Sequence, residues 1–142
     1  MSLNIIIPCY NESMRLPFNK YLDFLKLNKQ VKIIFVDDGS TDNTKNLVNK
    51  LSNKFPKQIK ILSYKKNKGK GNAVRDGFLY AVRQKMSGNL AYLDADLSTS
   101  LEECELLSKK INDKIKFVFG SRISKSNNII KRKFHRFIIG RG

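Results

Sequence analysis

The chain has 142 residues, 41% of them hydrophobic, which suits one domain with a single core and argues against general disorder. Its 28 Lys and Arg against 12 Asp and Glu give a formal charge of +16, a field that attracts nucleic acid, anionic lipid headgroups or phosphorylated substrates. No apolar run is long enough to cross a bilayer, the N-terminus lacks the features of a secretory signal, and Cys9 and Cys104 have no zinc or disulfide spacing, so a reducing, cytoplasmic setting is expected.

Apolar runs of strand length alternate with helical patterns along the chain. Residues 3–8 (LNIIIP) read as the first strand, and a helix follows whose first turn is marked by Pro17, with Phe18, Tyr21, Leu22 and Leu25 facing inward. Residues 31–36 (VKIIFV) give the second strand, and the segment from Thr44 to Phe55 places Leu47, Val48, Leu51 and Phe55 on one stripe. A third strand over 59–64 precedes a helix from Lys70 to Met86, whose stripe is Ala73, Val74, Gly77, Phe78, Ala81 and Val82. The fourth strand is 89–93. After it, Ser100 with Glu103 three residues later forms a capping box for a helix with Leu101, Cys104, Leu107 and Ile111 inward. A fifth strand covers 115–120. Strands this continuously apolar belong to a parallel sheet covered on both faces, so the alternation predicts an open, doubly wound α/β domain.

In such sheets ligands bind beyond the carboxyl ends of the strands, where strand order reverses. Three polar clusters stand at those ends: PCYNE after the first strand, DDGS after the second and DADLS after the fourth. Asp94 and Asp96, one residue apart, point to the same side of an extended segment. Two carboxylates so close repel unless one is protonated or a cation lies between them, and Mg²⁺ or Mn²⁺ accepts such oxygen ligands together with substrate phosphates. The plainer alternative is that Asp94 ends a strand and Asp96 caps the next helix. In VDDGSTDNT, Asp37 at the strand end can accept hydrogen bonds from a base or ribose, Gly39 permits a tight turn, and Ser40 or Thr41 would cap the following helix. A polar strand-to-helix turn explains Gly39 to Asn43 equally well, but not two adjacent aspartates at the sheet's mouth. Lys68, Gly69, Lys70 and Gly71 stand just before a helix, where backbone can approach a ligand and the helix N-terminus favours phosphate. The spacing is not that of a Walker A loop, and the first strand does not lead into G-x-G-x-x-G.

The fifth strand ends in Gly120-Ser121-Arg122, and Arg122 could grip phosphate as a fork. The tail, residues 127–142, interleaves Lys131, Arg132, Lys133, Arg136 and Arg141 with apolar residues. This predicts a basic amphipathic helix on a membrane surface, or equally an ordinary terminal helix with a solvated basic face. A nucleic-acid-binding module is the rival reading, carried by the charge alone. The aromatics mostly sit at core-facing positions, so a stacking platform is missing and no nucleic-acid partner is expected.

The ordered set P-x-Y-N-E, V-D-D-G-S-x-D-x-T, N-x-G-K-G-x-A-x-x-x-G, D-A-D-L-S and G-S-R resembles the family 2 glycosyltransferases of GT-A fold, closest to the dolichyl- or polyprenyl-phosphate glucosyl/mannosyltransferase branch. The resemblance runs from about Asn4 to Arg136 and implies one GT-A nucleotide-sugar-binding domain, with a mostly parallel, Rossmann-like sheet flanked by helices. It implies that Pro8, Tyr10, Glu12, Asp37 and Asp38 line the nucleotide pocket, with Lys68 and Gly71 close by. Asp94 and Asp96 would match the D-x-D that holds the metal on the donor's diphosphate, with Arg122 and Arg132 facing the acceptor phosphate or leaving group. Relatives continue past the point where this chain reads FIIGRG, so a larger catalytic unit is expected, of which this would be the N-terminal part.

The expected reaction is inverting, metal-assisted transfer of a hexose from UDP- or GDP-sugar to a polyprenyl or dolichyl phosphate, at the cytoplasmic face of a membrane. A lipid phosphate is already anionic and needs cations rather than a general base. A saccharide hydroxyl, the other acceptor class of the family, would need a carboxylate base, and no later acid is well placed for it.

Overall fold

Seven consecutive residues of β1 (Leu3–Cys9) are buried, and β2 (Val31–Asp37) exposes only Lys32. A strand with both faces covered sits in the middle of a layered fold, and that is where the computed structural model places the pair; it describes residues 2–120 and 137–141. One sheet runs β3-β2-β1-β4-β6-β5, with β3 at Ile59–Ser63, β4 at Asn89–Tyr92, β5 at Phe117–Gly120 and β6 at Phe137–Arg141. The first four strands are parallel, with β1 in register with β2 from Leu3↔Val31 to Cys9↔Asp37 and with β4 from Leu3↔Asn89 to Ile6↔Tyr92.

The period-2 alternation of these strands divides the core in two. Ile5, Ile7, Ile33, Phe35, Ala91 and Leu93 face one layer, which also buries Tyr21 and Leu25 of α1 (Phe18–Leu27), Val48 and Leu51 of α2 (Thr44–Lys54) and Cys104 of α4 (Leu101–Ser108). Ile6, Ile34 and Val36 face the other layer, against Ala73 and Ala81 of α3 (Lys70–Arg83). Helix α3 changes face because the chain must pass from β3, at one end of the parallel set, to β4 on the far side of β1. Strand order therefore reverses between β1 and β4, and a crevice opens at their carboxyl ends.

The five strands and four helices expected up to residue 120 all form, with ends shifted by a few residues. The capping box of α4 is present: Ser100 Oγ accepts from Glu103 N–H at 3.0 Å, and Glu103 Oε2 accepts from Ser100 N–H at 2.9 Å. Val82 departs from the expected inward stripe and is 58% exposed, because the helix contacts the sheet through a narrower band of Ala73, Gly77 and Ala81.

The tail needs a larger correction. Residues 137–141 form a strand that pairs antiparallel to both β4 and β5, where a basic amphipathic helix was expected. Residues 121–136, which hold Arg122 and Arg132, lie outside the described part. A short apolar run such as Phe137-Ile138-Ile139 satisfies helix and strand templates alike, and its pairing with β4 is decided by tertiary contact that periodicity does not register. Among the described residues no helix is long and apolar enough to cross a membrane.

Ile34 is fully buried between the sheet and α3, so Ile34→Ala should cost about 3 kcal/mol in urea unfolding. Val82→Ala, on the same helix's exposed side, should stay within about 0.5 kcal/mol.

Candidate nucleotide-sugar site

The crevice at the reversal point has a volume of about 350 Å³ and draws its walls from four chain segments. Strand β1 and its loop give Pro8, Tyr10 and Glu12; Asp38 follows β2; Gly69 and Lys70 come from the start of α3; Asp94 and Asp96 follow β4. The three polar clusters singled out in the sequence thus meet at one rim.

Asp38 does most to shape it. The residue is 2% exposed, and its carboxylate is spent on protein: Oδ1 accepts from Lys68 N–H at 2.7 Å, and Oδ2 from Gly69 N–H at 2.9 Å and Asn67 Nδ2 at 3.0 Å. These bonds fix the approach to α3. Two glycines make the path possible. Gly69 takes a φ of +98°, and at Gly39, with φ of +73°, a Cβ would lie 2.6 Å from the backbone nitrogen of Asn67.

A second web joins the loop after β1 to the loop after β2. Asn11, itself left-handed at φ 51°, accepts through Oδ1 from Thr41 N–H at 2.8 Å, while Ser40 Oγ accepts from Asn11 N–H at 3.0 Å and Thr44 Oγ1 from Glu12 N–H at 2.8 Å. Ser40 and Thr41 therefore do not cap α2. Asp42 serves its first turn instead, accepting from Thr44 N–H at 2.9 Å. It also accepts from Ser13 N–H and Oγ. Slight burial raises the Asp42 pKa, but the bonds from Thr44 and Ser13 outweigh that and bring it to about 2.

Glu12 is the strained group of the rim. Burial pushes its carboxyl up; the Arg15 guanidinium, 3.0 Å from Oε1, opposes this, and the charges of Asp96 and Asp94 add to the rise. Its Oε2 is buried with no hydrogen-bond partner among the described residues. An orphaned buried acceptor on a cleft wall calls for a donor from outside. Opposite, the Lys70 ammonium pairs with Asp94, and Asp96 Oδ1 accepts from Ser98 N–H at 3.0 Å. Beneath them Tyr21 of α1 donates its hydroxyl to Ala95 O at 2.8 Å, pinning the turn between the two aspartates from below. Cys9, also on the cleft wall, is buried, and its thiol is pushed up chiefly by that burial.

Some expected site residues are not themselves on the cleft wall. Asp37 is not on the cleft wall: it is 2% exposed, and its Oδ1 accepts from Ser40 N–H at 3.2 Å. Lys68 holds its ammonium 4.3 Å over the ring of Tyr64, and Gly71 faces open space without lining the cleft. Arg122 and Arg132 lie outside the described residues. Arg15, Asn67 and Tyr21 carry no expected role in the site, and Lys70 is expected there only as part of the stretch before a helix, not in contact with Asp94. For Tyr21 a signal existed, since a hydroxyl on a core-facing helix stripe needs a buried partner.

No group of three or more His, Cys, Asp and Glu residues is gathered among the described residues, so these offer no complete metal cage. Asp94 and Asp96 could hold one divalent ion as a partial oxygen set, completed by substrate phosphates and water, which is how Mg²⁺ and Mn²⁺ are commonly bound. The Lys70 ammonium already shows that a cation is accepted at Asp94.

A mostly parallel sheet flanked by helices, with its crevice at the reversal point, is the architecture of the GT-A class. The chain belongs to glycosyl transferase family 2, whose model matches residues 4–141. It is 36% identical over 152 residues, 96% of this chain and 45% of the other, to a dolichyl-phosphate beta-glucosyltransferase of Dictyostelium discoideum. It is similar in fold to S. aureus TarS 1-349 (TM-score 0.53, 25% identity, 68% of this chain and 28% of that one). It also resembles a mannosyltransferase from Pyrobaculum calidifontis solved with GDP-Man and Mn²⁺ (TM-score 0.52, 23% identity, 66% and 27%). The chain spans less than half the length of the curated relatives it matches.

Asp38→Ala leaves three donors without their acceptor, and should lower stability by about 2 kcal/mol in urea while raising hydrogen exchange at Lys68 and Gly69. Asp42 has a folded pKa below its ordinary 3.8, so its stabilisation is complete above that value and is lost as pH falls towards about 2. The stability gap between wild type and Asp42→Asn should therefore narrow steadily across that window in acid titrations followed by circular dichroism.

Proposed function

We propose that this chain is the donor-binding part of a dolichyl-phosphate glucosyltransferase, binding UDP- or GDP-glucose in the crevice between β1 and β4. The observation that carries the reading is the meeting of Asp94 and Asp96 with the start of α3 and the unpartnered Glu12 Oε2 in one crevice. The relatives' names favour glucose over mannose as the sugar and dolichyl phosphate as the acceptor.

Each wall has a task suited to its chemistry. The orphaned Glu12 oxygen accepts an N–H or O–H from base or ribose, beside the apolar ring faces of Pro8 and Tyr10. The first turn of α3, whose N-cap Gly69 provides no side-chain cap, turns backbone N–H groups towards the diphosphate. Asp94 and Asp96 hold a divalent ion, Mn²⁺ or Mg²⁺, which when bound supplies positive charge against the leaving diphosphate. In the transfer, a phosphate oxygen of the acceptor forms a bond to the sugar's anomeric carbon. The bond from that carbon to the diphosphate breaks, and its electron pair leaves with the nucleotide. One such displacement on an α-linked donor gives a β-linked product. The acceptor oxygen is already ionised, so the crevice needs no general base for it. What it needs is cations, a role the sequence suggests for Arg122 and Arg132. The remainder of a full-length relative would add the acceptor side, and the membrane surface would deliver the lipid.

Titration calorimetry tests the donor site. UDP should bind only with Mn²⁺ present, and Asp96→Ala should weaken it at least about tenfold. UDP binding that is indifferent to Mn²⁺ and to Asp96→Ala would refute the assignment.

A further inference from the structure

Lys70 stands at a junction that the donor-site reading leaves unexplained. Its backbone position is fixed, because the preceding Gly69 N–H is held by Asp38 and Lys70 is the first residue of α3. Its side chain is free to swing: it is 57% exposed, while Asp94, which it pairs with, is 21% exposed. An ion pair this accessible to water contributes little on its own and exchanges readily. The ammonium thus occupies one of the two carboxylates that a divalent ion would use. Both cations cannot share Asp94 without repelling each other.

We propose that Lys70 is an exchange cation: it neutralises Asp94 while the crevice is empty and is displaced when a metal-bound nucleoside diphosphate enters, its charge passing to the phosphate oxygens. This rests on Asp94 and Asp96 being the metal ligands. Lys70 is suited to both positions. Asp38 anchors the preceding Gly69 at the start of α3, where the phosphates would lie, and the flexible stem of Lys70 reaches Asp94 after β4. The Lys70 charge lessens the repulsion between Asp94 and Asp96 in the empty protein. It also makes the protein a poor ligand for metal alone and a good one for metal together with diphosphate. Lys70 is therefore a positioning residue that couples two binding events.

The test is Mn²⁺ binding to the 142-residue chain, followed by electron paramagnetic resonance with and without UDP. Lys70→Met keeps the stem and removes the charge. It should bind Mn²⁺ alone at least about fivefold more tightly than wild type, and the gain that UDP brings to Mn²⁺ affinity should shrink by a similar factor. Lys70→Arg retains a cation and should restore the weak binding of Mn²⁺ alone. Equal or weaker Mn²⁺ binding by Lys70→Met overturns the exchange while leaving the two aspartates as ligands. Absence of Mn²⁺ binding in every variant, with or without UDP, overturns the exchange and the metal assignment together.

Discussion

The buried carboxylate of Asp38 is the constraint on which the rest of the site depends. It lies at the end of a strand whose burial is dictated by an apolar run, and it accepts three hydrogen bonds from residues 67–69. That ties the β2 end to the start of α3 across the sheet. Without it, Gly69 would have no reason to hold a φ of +98°, and Lys70 would not begin its helix beside β4. The donors of the clamp are neutral, two backbone N–H groups and the Asn67 amide, so it adds no positive group to the crevice.

The chain carries a formal charge of +16, yet its crevice gathers Glu12, Asp38, Asp94 and Asp96, balanced locally by Arg15 and Lys70. A concentration of acid at one rim of a basic protein is costly unless a cation is used there. The structure meets that cost differently at each acid: neutral donors for Asp38, a guanidinium for Glu12, an exposed ammonium for Asp94 and the Ser98 N–H for Asp96. The division fits a site that releases one charge to receive another.

Much of this was legible beforehand. The continuous burial of β1 and β2 follows from their apolar runs, and the capping box at Ser100 marked the start of α4 to the residue. The convergence of three polar clusters followed from topology alone, since parallel strands bring their carboxyl ends to one edge. Two adjacent aspartates were not separable in the same way. Strand alternation sends Asp37 and Asp38 in opposite directions, but only the partners, Ser40 for one and the 67–69 loop for the other, decide which reaches the crevice. Lys68 and Lys70 pose the same problem, because the path of the chain into α3 sets which lysine crosses to β4 and which stacks on Tyr64. The strand at 137–141 was missed because its pairing partners are β4 and β5, distant in sequence.

The central claim is that the acids after β4 hold a divalent ion on a nucleoside diphosphate. Anomalous diffraction at the manganese edge, from crystals grown with MnCl₂ and UDP, tests it most directly. The account predicts one strong peak at Asp94 and Asp96, with the diphosphate beside the start of α3. A peak elsewhere, or UDP seated in the crevice without manganese, would contradict it.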